Sequence, residues 1–172
     1  MSKNYTFKDY TFGDTTVRYV ILEESKNVFM LLIPKGRTGE INDTYESITV
    51  SKDFPYNKDF AGGTLCHIHL SHHYRSPVAG SFKFGESFYR LAFKSQELIK
   101  NGSETTIETI AEAEEGYSVI HRLTYLEGDG GFSVECTFVN NTGRQVSLEH
   151  ITSATLDNLS PLNHENDHCD SI

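Results

Sequence analysis

The chain has 172 residues and a formal charge of −9, with 24 acidic against 15 basic side chains. That balance opposes binding to phosphate backbones or anionic membranes, which need clustered Lys and Arg, so neither nucleic acid nor a membrane is an expected partner. The length suits one domain with its own core, and eleven Phe and nine Tyr against two Met and no Trp favour pleated surfaces over helices.

Cys66, Cys136 and Cys169 are odd in number and widely spaced, which argues against a disulfide framework. Met1-Ser2-Lys3-Asn4 leads into no apolar run of signal type, and no stretch approaches membrane-spanning length, so the expected setting is cytoplasmic.

In chain order, Val17, Tyr19 and Ile21 alternate with Arg18 and Glu23 and predict a strand over Thr15 to Glu23, its second face made partly apolar by Val20 and Leu22. Val28 to Ile33 is apolar on both faces and stops at Pro34, as a central strand would. A short strand around Ser47 to Val50 precedes Lys52 to Gly63, which has no periodicity and is the first candidate functional loop. Leu65 to Leu70 predicts another strand, followed by the polar run Ser71 to Ser76 and the breaker Pro77.

Leu91 to Lys100 is ambiguous, since it could form a short helix capped by Gly102. Phe82, Phe84, Phe88 and Tyr89 before it are better strand residues, and extended chain is the reading adopted for the whole stretch. Thr105 to Ala111 predicts a strand and Glu112 to Gly116 a charged turn. Three further strands, Tyr117 to Leu126, Phe132 to Val139 and Gln145 to Leu156, then read as an antiparallel meander. In the middle one, Phe132, Val134, Cys136 and Phe138 share a face. The turns between them, Glu127-Gly128-Asp129-Gly130-Gly131 and Asn140-Asn141-Thr142-Gly143, are rich in residues that tolerate positive φ. The fold class is therefore all-β, mainly antiparallel, in a two-layer sandwich.

The run from Thr124 to Leu162, with its acidic-glycine hairpin, the TFVNNTGR turn and a close in LSPL (Leu159 to Leu162), resembles the end of the N-terminal β-sandwich of glycoside hydrolase family 36, the α-galactosidases. The resemblance implies a supersandwich of the galactose mutarotase-like kind over residues 1–162, with 163–172, including His164 and His168, as a polar tail leading toward a catalytic barrel. That family's nucleophile and acid are barrel aspartates to which no position here corresponds. The resemblance thus implies a non-catalytic domain with no cofactor. Its partners would be the barrel of the parent enzyme, a galactoside near the pocket mouth, and further copies in a homo-oligomer.

Several residue sets have side chains suited to chemistry. Cys66-His67-Ile68-His69 with His72 and His73 suggests zinc, but a closed site needs four converging ligands, and hydrogen-bonded or exposed histidines explain the run better. Glu112, Glu114 and Glu115 crowd one turn and Glu127 and Asp129 another, where acids ordinarily serve solubility; no retaining pair about 5–5.5 Å apart is readable from sequence. Gly128 to Gly131 lacks the Lys and the helix of a phosphate loop, and Ser71 with His72 and His73 lacks a nucleophile turn. Phe54, Tyr56 and Phe60 could stack on a sugar, although anchoring their loop to the core is the stronger reading, and Asp53-Phe54-Pro55-Tyr56 only loosely resembles the family's loop. No catalytic or metal-binding residue is assigned, and no substrate-binding one. The alternatives are a free-standing galactoside-binding sandwich and a mutarotase-like epimerase, which needs a His acid and a Glu base in one cleft.

Overall fold

The computed structural model describes residues 5–40, 63–73, 86–128 and 130–155. The segments predicted at Ser47 to Val50 and Lys52 to Gly62, the Phe54, Tyr56 and Phe60 set, Phe82, Phe84, Asp129, the LSPL close and the tail lie outside them. The described chain is mostly antiparallel β, as alternation predicts. In order come β1 (Tyr5–Phe12), β2 (Thr15–Leu22), β3 (Val28–Pro34), a 3-10 turn (Thr38–Glu40), β4 (Gly63–Thr64), β5 (Ile68–Leu70) and a single helical turn, α1 (Glu86–Tyr89). Then follow β6 (Ala92–Asn101), β7 (Glu104–Glu112), β8 (Tyr117–Leu126), β9 (Gly131–Asn140) and β10 (Leu148–Ile151). Among the described residues no helix is long and apolar enough to cross a membrane.

Three sheets result, ordered β1-β2-β3-β4, β6-β7-β8-β9 and β10-β5. The two larger ones face each other. Val17, Tyr19, Ile21, Val28 and Met30 from the first pack against Ile107 and Leu123 of the second. Tyr10 donates to Gln96 Oε1 at 2.9 Å across the gap, and Phe12 stacks on Tyr125 with centroids 5.2 Å apart. Burying side chains such as Ile107 and Leu123 stabilises the fold by roughly 1.5–3 kcal/mol each.

The other face of the first sheet is buried too, which explains why Val20 and Leu22 break the alternation of β2. They join Phe29, Leu31 and Ile33 in a second core filled by Cys66, Ile68, Leu70, Phe88 and Leu91 and by Ala111, Tyr117 and Val119 from the near ends of β7 and β8. A charge on this face must be matched. Arg18 is buried, donates from Nε to Asp9 Oδ1 at 2.8 Å and from Nη2 to Oδ2 at 2.7 Å, and lies over the Phe7 ring. The outer face of β6-β7-β8-β9 is polar by contrast, with Arg122 bridging Glu108 and Glu135.

Four expectations need correction. Leu148 to Ile151 is a strand but does not extend the meander: it pairs with β5, Ile151 opposite Ile68 and His150 opposite His69. The meander is instead built from β6 through β9. Alternation fixes which face of a strand is buried but not which edge it joins, and β5 offered one. Second, Phe88 and Tyr89 lie in a turn of helix, in which Phe88 is buried edge-on against Phe29 with centroids 5.7 Å apart. Third, the strand predicted over Leu65 to Leu70 is shorter and starts at Ile68. Fourth, β1 was not anticipated, its burial alternating only weakly. The ambiguous Ala92–Asn101 segment is extended as adopted, since it pairs along its length with β7.

Candidate functional site

Four segments meet at one corner. β5 runs into Ser71-His72-His73, closed by a hydrogen bond from His73 N to Leu70 O at 3.0 Å. α1 supplies Glu86 and Ser87 and is followed by Arg90. The β7–β8 turn places Glu115, and the β9–β10 connection brings Arg144. In the β7–β8 turn, Gly116 has φ of 97° and lies so close to the β9–β10 connection that a Cβ there would come within 3.1 Å of Asn141 O. Only glycine permits both. Opposite it, Asn140 Oδ1 accepts from the Thr142 hydroxyl at 2.7 Å and Asn140 Nδ2 donates to Arg144 O at 2.9 Å, shaping the connection that carries Arg144.

Glu115 is the hub. Its Oε1 lies 2.7 Å from Arg90 Nη1 and 3.2 Å from His73 Nε2, while Oε2 lies 3.5 Å from His72 Nε2 and 3.7 Å from Arg144 Nη2. Arg90 also donates from Nε to Glu86 Oε1 at 2.9 Å. Partial burial pushes the Glu115 carboxyl up, but the His72 hydrogen bond, the nearby His73 ring and the Arg90 charge outweigh it, and the net result lies below the usual value.

His73 is buried, and its Nδ1 stands 2.9 Å from Ser87 Oγ. The protons can be assigned by elimination. An ionised Glu115 only accepts, so Nε2 carries the hydrogen; Nδ1 is then the acceptor and the Ser87 hydroxyl donates to it. Ser87 Oγ in turn accepts from Leu70 N at 3.0 Å, and Tyr117 OH donates to the Ser87 carbonyl at 2.9 Å. Every group in the string is satisfied with His73 neutral. Burial is the main reason its pKa is lowered, partly opposed by the Glu115 charge and reinforced by His72.

A serine, a histidine and a glutamate in line suggest a nucleophile string, yet Ser87 is 0% exposed. No substrate carbonyl can reach its hydroxyl. Only the outer end meets solvent, where the side chains of His72, Arg90 and Arg144 are exposed.

His72, His73 and Glu115 are also the one group of possible metal ligands among the described residues. They fit a cation poorly. Two guanidiniums compete for the same carboxylate, and His73 would have to move its proton to Nδ1 and forfeit the bond from Ser87. His69 does not join them, being turned to Glu149 at 3.6 Å on β10.

Sequence reading singled out Glu115, His72 and His73, but in separate groups. It missed Ser87, Arg90 and Arg144, for which the only local signal was the Glu86–Arg90 spacing of one helical turn. Of the other acids, Glu112 pairs with Lys94 at 3.1 Å, Glu114 is exposed, and Glu127 is exposed in the β8–β9 turn. No protein-family model matches this chain, and neither does any curated protein or solved structure.

Proposed function

We propose that this chain is a non-catalytic accessory β-sandwich that works beside the barrel of an α-galactosidase-like glycoside hydrolase. The motifs of Thr124 to Leu162 support the family, and the all-β antiparallel build accommodates it. The observation that carries the non-catalytic part is the closure of the Glu115 corner. Where a histidine and a carboxylate converge, the acid is already bound by Arg90 and the serine behind is sealed.

An epimerase is the one rival with an observation in its favour, since His73 and Glu115 do converge. Ring opening needs the acid and the base on either side of a sugar. A direct contact of 3.2 Å leaves no room for one between them.

The test is assay of the purified chain with p-nitrophenyl α-galactoside, polarimetry on fresh α-galactose, and calorimetric titration with galactose, melibiose and raffinose. No turnover, no faster mutarotation and no heat are expected. Mutarotation that disappears in Glu115→Gln would replace this reading with the epimerase, and saturable heat with a galactoside would replace it with a free-standing sugar binder.

A further inference from the structure

Asn101 is the one asparagine of this sequence followed by glycine. It ends β6 opposite Glu104, the first residue of β7, and leaves Gly102 and Ser103 as a two-residue loop. All four residues are exposed, and among the described residues β6 is an edge strand of its sheet. Neither the Asn101 side chain nor the Gly102 amide makes a hydrogen bond among the described residues. Gly102 has φ of 61°, and nothing lies within 4 Å of where a Cβ would stand.

The other described asparagines are hindered. Asn27 is buried and donates from Nδ2 to Leu91 O at 2.8 Å and to Tyr89 O at 3.2 Å. Asn140 Nδ2 donates to Arg144 O, and its Oδ1 accepts from Thr142 N at 3.1 Å. Asn141 is exposed but precedes Thr142, whose branched side chain crowds the backbone amide that would have to attack.

We propose that Asn101 is a self-modifying site: in the folded protein the Gly102 amide cyclises onto its side chain, and the asparagine becomes a mixture of aspartate and isoaspartate.

Hydroxide removes the Gly102 amide proton, and the nitrogen attacks Asn101 Cγ. The new N–C bond closes a succinimide, the bond from Cγ to Nδ2 breaks, and ammonia leaves with a proton taken from water. Water then opens the ring. Breaking the Cγ–N bond restores the ordinary backbone and leaves aspartate. Breaking the bond between N and the Asn101 backbone carbonyl leaves isoaspartate, with the chain running through the side-chain carbons. One water is consumed and one ammonia released, with no redox change. Glycine matters because no side chain blocks the approach of its nitrogen. An extended Asn101 does not present Cγ to that nitrogen, so its ψ must first turn to bring the two atoms together. At the hairpin tip this breaks only the closing Asn101–Glu104 pair, and strand ends open more readily than core positions.

The product adds a carboxylate to the tip that already carries Glu104. Glu127 N donates to Ser103 O at 3.0 Å, so the acidic β8–β9 turn lies against the same tip. The new charge meets like charges, and the extra backbone carbon of isoaspartate breaks the register of Asn101 on Glu104. Both loosen the end of this edge strand.

The experiment incubates the full chain at mildly alkaline pH, one sample folded and one unfolded in urea. Digestion with an acid protease follows, because cyclisation needs the deprotonated amide and halts in acid. Peptides are then mapped by mass spectrometry, with fragmentation that separates isoaspartate from aspartate. In the folded sample the Asn101 peptide is expected to gain the mass of an amide-to-acid exchange and to split into two isomers. Peptides carrying Asn27, Asn140 and Asn141 are expected to keep their amides. Asn101→Gln, an exposed and conservative change, should abolish the signal, since the longer side chain would have to close a larger and slower ring. An Asn101 amide intact in the folded sample once the urea sample has converted would overturn the proposal. So would conversion at Asn140 or Asn141 that keeps pace with Asn101, or aspartate forming with no isoaspartate, which marks direct hydrolysis without the ring.

Discussion

His121 lies on β8 opposite Cys136, 0% exposed. Neither ring nitrogen makes a well-aligned hydrogen bond. Burial lowers its pKa from 6.5 to about 4, and the Ser153 backbone, which favours the charged ring, is not placed well enough to offset this. The native state therefore refuses a proton that the unfolded chain accepts. The resulting stability is fully present above pH 6.5 and drains away as pH falls toward the folded value. At about 1.4 kcal/mol per decade of proton affinity, the gap amounts to about 3 kcal/mol, a large part of the usual stability of a domain. Urea unfolding at a series of pH values from about 7.5 to 4.5 should show the midpoint falling, and His121→Leu should make that slope shallower. His73, also lowered, leaves a residual slope in the same direction. An unchanged slope in His121→Leu, or a His121 ring resonance in the native protein that titrates near pH 6.5, would refute the reasoning.

Three further predictions rest on single contacts. Glu115→Gln removes the charge that four cationic or polar side chains share; a loss of about 1–2 kcal/mol is expected in urea unfolding at neutral pH, together with a weaker pH dependence below the ordinary carboxylate range, since a carboxyl held low contributes stability that vanishes on protonation. Gly116→Ala puts a Cβ 3.1 Å from Asn141 O and 3.2 Å from Thr142 Cα at a φ of 97°. Because the neighbours are backbone and cannot swing aside, a cost of about 2–3 kcal/mol should appear as a lowered thermal midpoint. Asp9→Asn leaves the Arg18 guanidinium buried against Phe7 with its bidentate partner reduced to an amide, and a loss of about 2 kcal/mol is expected, moderated because Asp9 is partly exposed.

The faces of the strands were legible before the fold was known. Phe132, Val134, Cys136 and Phe138 lie inward as their spacing requires, and Val28 to Ile33 is a central strand flanked by β2 and β4. The extended state of Ala92–Asn101 was harder to read, because the same residues would satisfy a helix. Pairing with β7 decided it, and Gln96, which bonds both Tyr10 and Thr109, is useful only in that geometry. The partnership of β10 with β5 was not legible at all, since any strand with one apolar face can join any compatible edge.

The candidate site divides along the same line. The turn residues Glu115 and Gly116 and the His72-His73 pair are conspicuous in sequence, and so is each cysteine. Composition and alternation determined a layered antiparallel protein with acidic turns, because burial of every second side chain is a local property of the chain. Tertiary structure alone brought Glu115 to Arg90 and His73 to Ser87. Those contacts depend on how separate sheets stack, and distance along the chain carries no record of that.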